Sequence, residues 1–424
     1  MTVEEIVEYL NSFKLEGRSL GPERTQWFLD QLGNPEKSLK FVHVTGTNGK
    51  GSTCAYIASV LRKAGYRVGS FVSPHIVRFN ERIQCNGVYI TDEELISMVG
   101  DVRPILDGSD DPPTMFEIVV GLAFRYYVDK KCDVVVLEVG MGGDTDATNV
   151  IDTPEVAIIA TISLDHVAAL GPELTDIARA KSGIIKGGDA VIYGSTDEVE
   201  LVFETVCKER GAKLHKADFS RISNQIEALE GLTFTLEPYG MITTPLLGSY
   251  QSKNVTLAIT ALEVMREKGY KIGDSDIIDG IRDVRWPGRF ELIGRDPIFI
   301  LDGAHNAEAV EVTADSLKRY FGDRKIVFII GAMSNKDVDT MVSFIAPLAK
   351  AFINARPDYE RAMESELMEE KLSIYEAPVY TIDDFDQAVT KAISIAGNEG
   401  IVCVIGSLHF STDLRTAYEG LKSS

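Results

Sequence analysis

Short, nearly unbroken apolar runs alternate with amphipathic stretches over most of the chain. "KFVHV" (40–44), "RVGSFV" (67–72), "DVVVLEV" (133–139), "VAIIATI" (156–162) and "DAVIYG" (189–194) lack the period of two expected of a half-exposed strand. They suit strands covered on both faces of a parallel sheet. Between them "STCAYIASVLRKAG" and "MFEIVVGLAFRYYVDK" carry apolar residues at helical spacing. Strand and helix in alternation predict a doubly wound, mainly parallel α/β domain.

From 212 to 245 the pattern breaks into short alternating pieces with turns, which predicts a β-hairpin or a small antiparallel excursion. Helical patterns return at 251–269 and 274–283. "RWPGRFELIGRDP" (285–297) sets two prolines and two glycines around a short apolar segment and reads as a linker. Beyond it "IFILDG", "KIVFIIGA", "AFINA", "APVYTI" and "GIVCVIGS" are strands, each followed by a helical stretch. The expected organisation is a first domain over 1–284, a linker over 285–297, and a smaller Rossmann-like α/β domain over 298–424.

Composition narrows the function classes. A chain of 424 residues is too long for one ordinary core. No segment approaches the roughly 18 uninterrupted apolar residues of a membrane span. The opening "MTVEEIVEYLNSF" puts acids before a helical apolar stripe, the reverse of an export signal, so a cytoplasmic protein without membrane partners is expected. Five scattered cysteines, with no CxxC pair, fit a reducing compartment. A net charge of −21 argues against nucleic-acid binding, so any anionic ligand needs a local site.

That site is announced by "TGTNGKGST" (45–53), directly after the first strand and before a helix. Thr47, Asn48, Gly49 and Gly51 flank Lys50 in a loop whose backbone N–H groups and following helix N-terminus are suited to enclose a phosphate. Lys50 supplies a point charge for terminal phosphates, and Ser52 or Thr53 a hydroxyl for Mg²⁺. The first domain therefore reads as a P-loop-type ATPase. Its spacing departs from the common P-loop, since only two residues separate Gly46 from Gly49 and Gly51 stands between Lys50 and Ser52.

"GTNGKGS" resembles the nucleotide loop of the Mur ligase superfamily, and the inserted glycine resembles its folylpolyglutamate synthase and dihydrofolate synthase branch. Further matches run in order along the chain: "SPHIVRFNERIQCNG" (73–87), "PTMFEIVVGLAF" (113–124), "LEVGMGGDTDATNV" (137–150), "ISLDHVAALG" (162–171), "IARAKSGIIK" (177–186), "LLGSYQSKN" (246–254), "RWPGRFE" (285–291) and "LDGAHNAEA" (301–309).

The resemblance implies an ATP-dependent ligase that joins L-glutamate to a pterin-bearing carboxylate through an acyl phosphate, releasing ADP and phosphate. Dihydropteroate, a reduced folate, or both would be the acceptor. It implies Mg²⁺ at two sites, held by Ser52, Ser73, Glu138 and His166. Glu138 also stands out without it: a carboxylate ending an apolar strand is costly to bury unless paired, and a buried ion pair with an arginine is the other reading. Lys181 matches a lysine often carbamylated by CO₂ in the superfamily, although a lysine favoured by a helix C-terminus would look the same. Lys50, Glu138, His166 and Lys181 form the expected catalytic set. Asn254, Arg289, Asp302 and His305 match nucleotide contacts, and Arg82, Thr114, Phe116, Asp146 and Ala147 match substrate contacts. A monovalent cation such as K⁺ and a monomeric state are also implied.

The chain departs from the family pattern in places. Ala180 replaces a glutamate before Lys181, Tyr250 a frequent histidine, and Ala307 a proline. "GSLHFSTD" brings His409 where it is either a glutamate-site group or an exposed helix start. Asp144 replaces an arginine in "GGDTDATN", a change that an anionic polyglutamate tail does not favour. A γ-glutamyl ligase acting on a non-folate pterin or another cofactor is thus the alternative. A cell-wall Mur ligase is opposed by the "GKGS" loop, and a nucleotide switch gives no reason for Glu138, His166 and Lys181.

Overall fold

Eight strands line up in the order β4-β3-β2-β5-β1-β6-β7-β8, with β1 at Phe41–Thr45, β2 at Val68–Phe71, β3 at Ile83–Cys85, β4 at Val88–Tyr89, β5 at Val134–Glu138, β6 at Val156–Ile159, β7 at Asp189–Ile192 and β8 at Lys213–Lys216. The computed structural model describes residues 2–15, 18–359 and 361–423; the side chains of His409 and Ser423 also lie outside the described set. From β2 to β8 every pairing is parallel, and β3 and β4 are antiparallel additions at one edge. Every residue of β1, β2, β5 and β6 is buried, which is why these strands read as unbroken apolar runs.

Helices α1 (Lys50–Lys63) and α2 (Met115–Asp129) pack on this sheet. Both are apolar around most of their circumference: Tyr56, Ile57, Val60 and Leu61 of α1, and Val119, Leu122, Ala123 and Phe124 of α2, are buried. Two further helices matter for the site, α3 (Leu174–Ser182) and α4 (Gln251–Glu267). Among the described residues no helix is long and apolar enough to cross a membrane. The five cysteines are free thiols, with Cys54, Cys207 and Cys403 buried.

The chain divides into two compact units. The first comprises Met1–Ser223, Thr235–Ile242 and Ser252–Val284, and the second Asn224–Phe234, Thr243–Gln251 and Arg285–Ser424. Two pieces expected in the first domain therefore pack with the second. They belong to a three-stranded sheet of β9 (Ile222–Ala228), β10 (Gly231–Leu236) and β11 (Gly240–Thr244), where the turn-rich pattern placed an excursion. The start of that stretch, β8, instead extends the large sheet in parallel.

The expected linker over 285–297 is also corrected. It contains β12 (Glu291–Arg295), which pairs antiparallel with β13 (Ile298–Leu301) at the edge of a six-stranded sheet. Its remaining strands, β14 (Ile326–Ile330), β15 (Ala349–Asn354), β16 (Val379–Thr381) and β17 (Ile401–Ile405), pair in parallel in the order β12-β13-β17-β14-β15-β16. Prolines and glycines surround β12 because it is a short edge strand, where missing or irregular pairing is tolerated.

Candidate active site

The glycine-rich loop leaves the C-terminal end of β1, between β5 and β6, where an open α/β sheet places its ligands. Gly46 and Gly49 have φ of 150° and 84°. A Cβ on Gly46 would meet that of Ala160 at 2.7 Å, and one on Gly49 would meet Asn254 Oδ1 at 2.9 Å. Neither position tolerates a side chain. The buried Asn254 of α4 is thus brought against the loop.

The loop is fastened to the segment after β6. Thr47 N–H donates to Thr161 O (2.7 Å), Asn48 N–H to Thr161 Oγ1 (3.2 Å), and Thr47 Oγ1 to Ser163 O (3.1 Å). The N–H groups of Thr47 and Asn48 therefore face protein, which modifies the expectation that successive loop N–H groups all enclose a phosphate. Helix α1 starts at Lys50, and Ser52 and Thr53 in its first turn are buried. The Thr53 hydroxyl is buried and has no hydrogen-bond partner among the described residues.

Two lysines converge on one backbone oxygen. Lys50 Nζ donates to Gly46 O at 3.0 Å and to Thr47 O at 3.2 Å. Lys181, buried near the end of α3, donates to Gly46 O at 2.9 Å. Burial, and then repulsion by Lys50, push the Lys181 ammonium down to about 7.

Glu138 ends β5, is 2 % exposed, and accepts from Ser73 N–H at 3.1 Å. The loop carrying Ser73 is held from within by Glu81, whose carboxylate accepts from Ile76, Val77 and Arg78 N–H at 2.7, 2.9 and 2.8 Å. Arg82 is buried beside it and donates to His75 Nδ1 at 3.0 Å. Burial lowers its guanidinium to about 10 despite the opposing pull of Glu138 and Glu81. His166 lies at the start of the short helix Val167–Leu170, with φ of 52° and its side chain 46 % exposed. Among the described residues no three His, Cys, Asp or Glu side chains form a cluster that could hold a metal ion. Glu138, which meets the Ser73 backbone, offers hard carboxylate oxygens of the kind that suit Mg²⁺.

The candidate acceptor residues gather at the N-terminus of α2 and in the turn after β5. Thr114 caps α2 in a reciprocal box with Glu117. Glu117 in turn holds a two-pronged ion pair with Arg24, both contacts at 3.0 Å. Phe116 is half-buried, packs at 5.8 Å from Phe71, and closes on Gly140 beside Asp146 Oδ2. Asp146 is buried and accepts from Met141 N–H and Thr148 N–H, both at 2.9 Å, and from Thr148 Oγ1 at 2.5 Å. Burial raises its carboxyl, and these donors oppose the rise. Ala147 is buried beside it, while Asp144 is exposed.

Arg289, Asp302 and His305 belong to the second unit. Asp302 follows β13, is fully buried, accepts from Thr313 Oγ1 at 2.6 Å, and has its carboxyl raised by burial against the pull of Thr313 and Arg289. His305 Nδ1–H donates to Gly303 O at 2.8 Å. It precedes the helix Ala307–Phe321, which Asn306 caps.

Motif reading missed Thr45, Glu81, Thr161 and Arg24. Each acts through a partner distant in sequence or through backbone N–H groups, and only the "NER" of the Ser73 loop hinted at an acid near its own turn.

The chain matches two family models, the Mur ligase middle domain over residues 44–262 and the Mur ligase glutamate ligase domain over 288–408. It is 36% identical to the dihydrofolate synthase/folylpolyglutamate synthase of Bacillus subtilis, covering 93% of this chain and 94% of that one. It is 34% identical to the folylpolyglutamate synthase of Lacticaseibacillus casei over the full length of both. Mycobacterium tuberculosis folylpolyglutamate synthase, solved with ADP, superposes with a TM-score of 0.90 at 27% identity over 98% of each chain. Escherichia coli FolC, solved with DHPP and ADP, superposes with a TM-score of 0.87 at 28% identity, covering 100% of this chain and 99% of that one. With its glycine-rich loop, its buried glutamate and lysine, and these matches over its whole length, the chain belongs to the folylpolyglutamate synthase/dihydrofolate synthase family of Mur ligases.

Proposed function

We propose that the chain joins L-glutamate to a pterin-bearing carboxylate at the expense of ATP, as a dihydrofolate synthase, a folylpolyglutamate synthase, or both. The observation that carries this reading is the convergence of Lys50 and Lys181 on the glycine-rich loop. Names of relatives that pair the two activities support it.

A carboxylate is a poor electrophile, so ATP first phosphorylates it. The amine of glutamate then attacks the acyl phosphate carbon, loses a proton, and expels phosphate. Charge moves between oxygens in both steps, and the chain's task is positioning and fixed positive charge. Lys50 carries the charge for the terminal phosphates. Asn254, Arg289, Asp302 and His305 are the proposed nucleotide contacts.

Ser52, Ser73, Glu138 and His166 would hold Mg²⁺, and the buried Thr53 hydroxyl, with no partner among the described residues, marks the same helix start as suited to an oxygen-binding cation. Bound Mg²⁺ neutralises phosphate charge as it moves between oxygens. Lys181, with its ammonium lowered to about 7, has at neutral pH the free amine that reacts with CO₂, which supports its carbamylation. Arg82, Thr114, Phe116, Asp146 and Ala147 take the acceptor, whose ring stacks on Phe116 and donates to Asp146. The protein works as a monomer, with K⁺ as the monovalent cation.

The exposed Asp144 favours a second reading, a γ-glutamyl ligase for a non-folate pterin or another cofactor. An acceptor panel decides between them: ATP, Mg²⁺, K⁺ and L-glutamate with dihydropteroate, tetrahydrofolate or no acceptor, following phosphate release and product mass. A gain of one glutamate on either pterin establishes the first reading. ATP binding without mass gain on either rejects it and points to another acceptor.

A further inference from the structure

Behind Asp146 runs a buried polar chain that the acceptor contacts alone do not require. His43 lies in the middle of β1, is 0 % exposed, and its Nε2 stands 2.9 Å from Thr148 Oγ1. Thr148 is equally buried, and its hydroxyl is 2.5 Å from Asp146 Oδ1. Three buried polar side chains thus form a line from the middle of β1 to the turn that follows β5.

The direction of the proton donations follows from the ends of the line. A threonine hydroxyl has one hydrogen, and the Asp146 carboxylate is where it goes. Thr148 Oγ1 must then accept from His43, which fixes the imidazole hydrogen on Nε2. The other ring nitrogen agrees: His43 Nδ1 is buried and has no partner among the described residues. A bare lone pair there is better tolerated than a buried N–H with no acceptor. Burial and the nearby ammonium of Lys186 hold the ring neutral, with its protonation pushed down to about 3. Lys186 itself clasps the carbonyls of Asn149 and Ile151, so the turn that follows Asp146 is pinned from the same side.

We infer that His43 and Thr148 are positioning residues for the acceptor: His43 orients the Thr148 hydroxyl, which holds Asp146 with Oδ1 saturated and Oδ2 turned to the acceptor's N–H groups beside Phe116. This rests on the reading of Asp146 as an acceptor contact. Thr148 also donates its backbone N–H to Oδ1, so that oxygen is fully engaged by protein. Oδ2 takes Met141 N–H and lies against Gly140, whose backbone also steadies the carboxylate, at the edge of the Phe116 ring that closes on that glycine.

The strand that carries His43 also leads to the phosphate loop. His43 and Thr45 are two apart on β1 and share a face. Thr45 Oγ1 donates to Gly142 O at 2.6 Å, so both residues fasten the 141–148 turn to the strand that leads straight into the phosphate loop. One strand therefore sets the position of the carboxylate that reads the acceptor and of the loop that reads ATP.

The test combines kinetics with the tautomer. Thr148→Val and His43→Leu are expected to raise KM for the acceptor roughly tenfold or more, the scale of a lost hydrogen bond to a charged group, with KM for ATP unchanged. Thr148→Ser and His43→Gln keep the donors and restore most of the loss. Asp146→Asn, run beside them, tests the underlying reading: no change in acceptor KM there traces the failure to Asp146, and a change there with none in Thr148→Val overturns the relay. Parallel rises in both KM values, or a His43→Gln variant as impaired as His43→Leu, also overturn it. Should the buried variants not fold, long-range ¹H–¹⁵N spectra of the wild-type histidines decide. A neutral His43 protonated at Nε2 near neutral pH is expected, and a hydrogen on Nδ1 rejects the chain of donations.

Discussion

Lys50 and Lys181, 131 positions apart in sequence, place their ammonium nitrogens 3.0 and 2.9 Å from the same carbonyl oxygen, that of Gly46. Like charges so close are tolerated only if one can be neutral. Lys181 is the one to yield, because it is the more deeply buried and its pKa falls to about 7. In the unfolded chain the same group titrates near 10.5. Between these values the unfolded state binds more protons, so the stability of the wild type is expected to rise with pH from about 7 to 10.5 by up to about 5 kcal/mol relative to Lys181→Met. Urea denaturation of both proteins across that range, in CO₂-depleted buffer, checks it. Parallel curves would mean that Lys181 is not held as a buried amine.

Lys50 is the lysine at the start of the helix that follows the loop, where a terminal phosphate would meet it. Lys50→Ala is expected to lower kcat by at least roughly 10²- to 10³-fold, the scale of losing one preorganised charge on a transition state. ADP release with acceptor present measures it, and an unchanged thermal midpoint shows that the helix still forms. Wild-type-like turnover would remove Lys50 from the nucleotide site.

His166 offers a separate test of the cation site. Its left-handed backbone suits histidine and asparagine better than alanine, so His166→Asn is run beside His166→Ala to separate loss of the imidazole from local strain. The Mg²⁺ concentration for half-maximal rate is expected to rise about 10- to 100-fold, as it does when metal-site partners are removed. An unchanged Mg²⁺ titration would leave the cation to Glu138 and the serine hydroxyls.

Glu81 binds three successive N–H groups of the loop that delivers Ser73 to Glu138. Glu81→Ala leaves those donors without their acceptor and is expected to cost roughly 2–4 kcal/mol where the loop is ordered. Glu81→Gln keeps one acceptor oxygen and should cost less. Hydrogen exchange at residues 76–78 reads the loop directly, and unchanged protection in Glu81→Ala would show that other contacts hold it.

Glu81 also shows where reading the sequence stops. The strands β1, β5 and β6 were legible because burial on both faces leaves an apolar run, and the loop after β1 because glycine and lysine have few other reasons to stand there. The edge strand β12 was hidden among prolines and glycines, and β8 by its lysines, since edge strands keep polar residues to discourage further pairing. Thr148 and His43 carried no signal at all. Their roles arise from a meeting across 105 positions that spacing along the chain does not encode.

The buried pair of Arg24 and Glu117 extends that argument to the acceptor side. Their side chains are 13% and 6% exposed, and the guanidinium meets both carboxylate oxygens. Glu117 is also the reciprocal half of the Thr114 cap, so the pair anchors the helix start that presents Phe116. Removing one partner strands a buried charge, and Arg24→Met is expected to destabilise the fold by about 3–5 kcal/mol. Replacing both, Arg24→Met with Glu117→Leu, should recover much of that loss, because two desolvated charges disappear together. The reciprocal half of the cap goes with Glu117, however, so acceptor KM should stay raised in the double variant even as stability returns. A double-mutant cycle on unfolding free energy, run beside acceptor KM, separates the two effects. If stability and KM recover together, the pair matters only to folding and the helix start needs no cap to present Phe116.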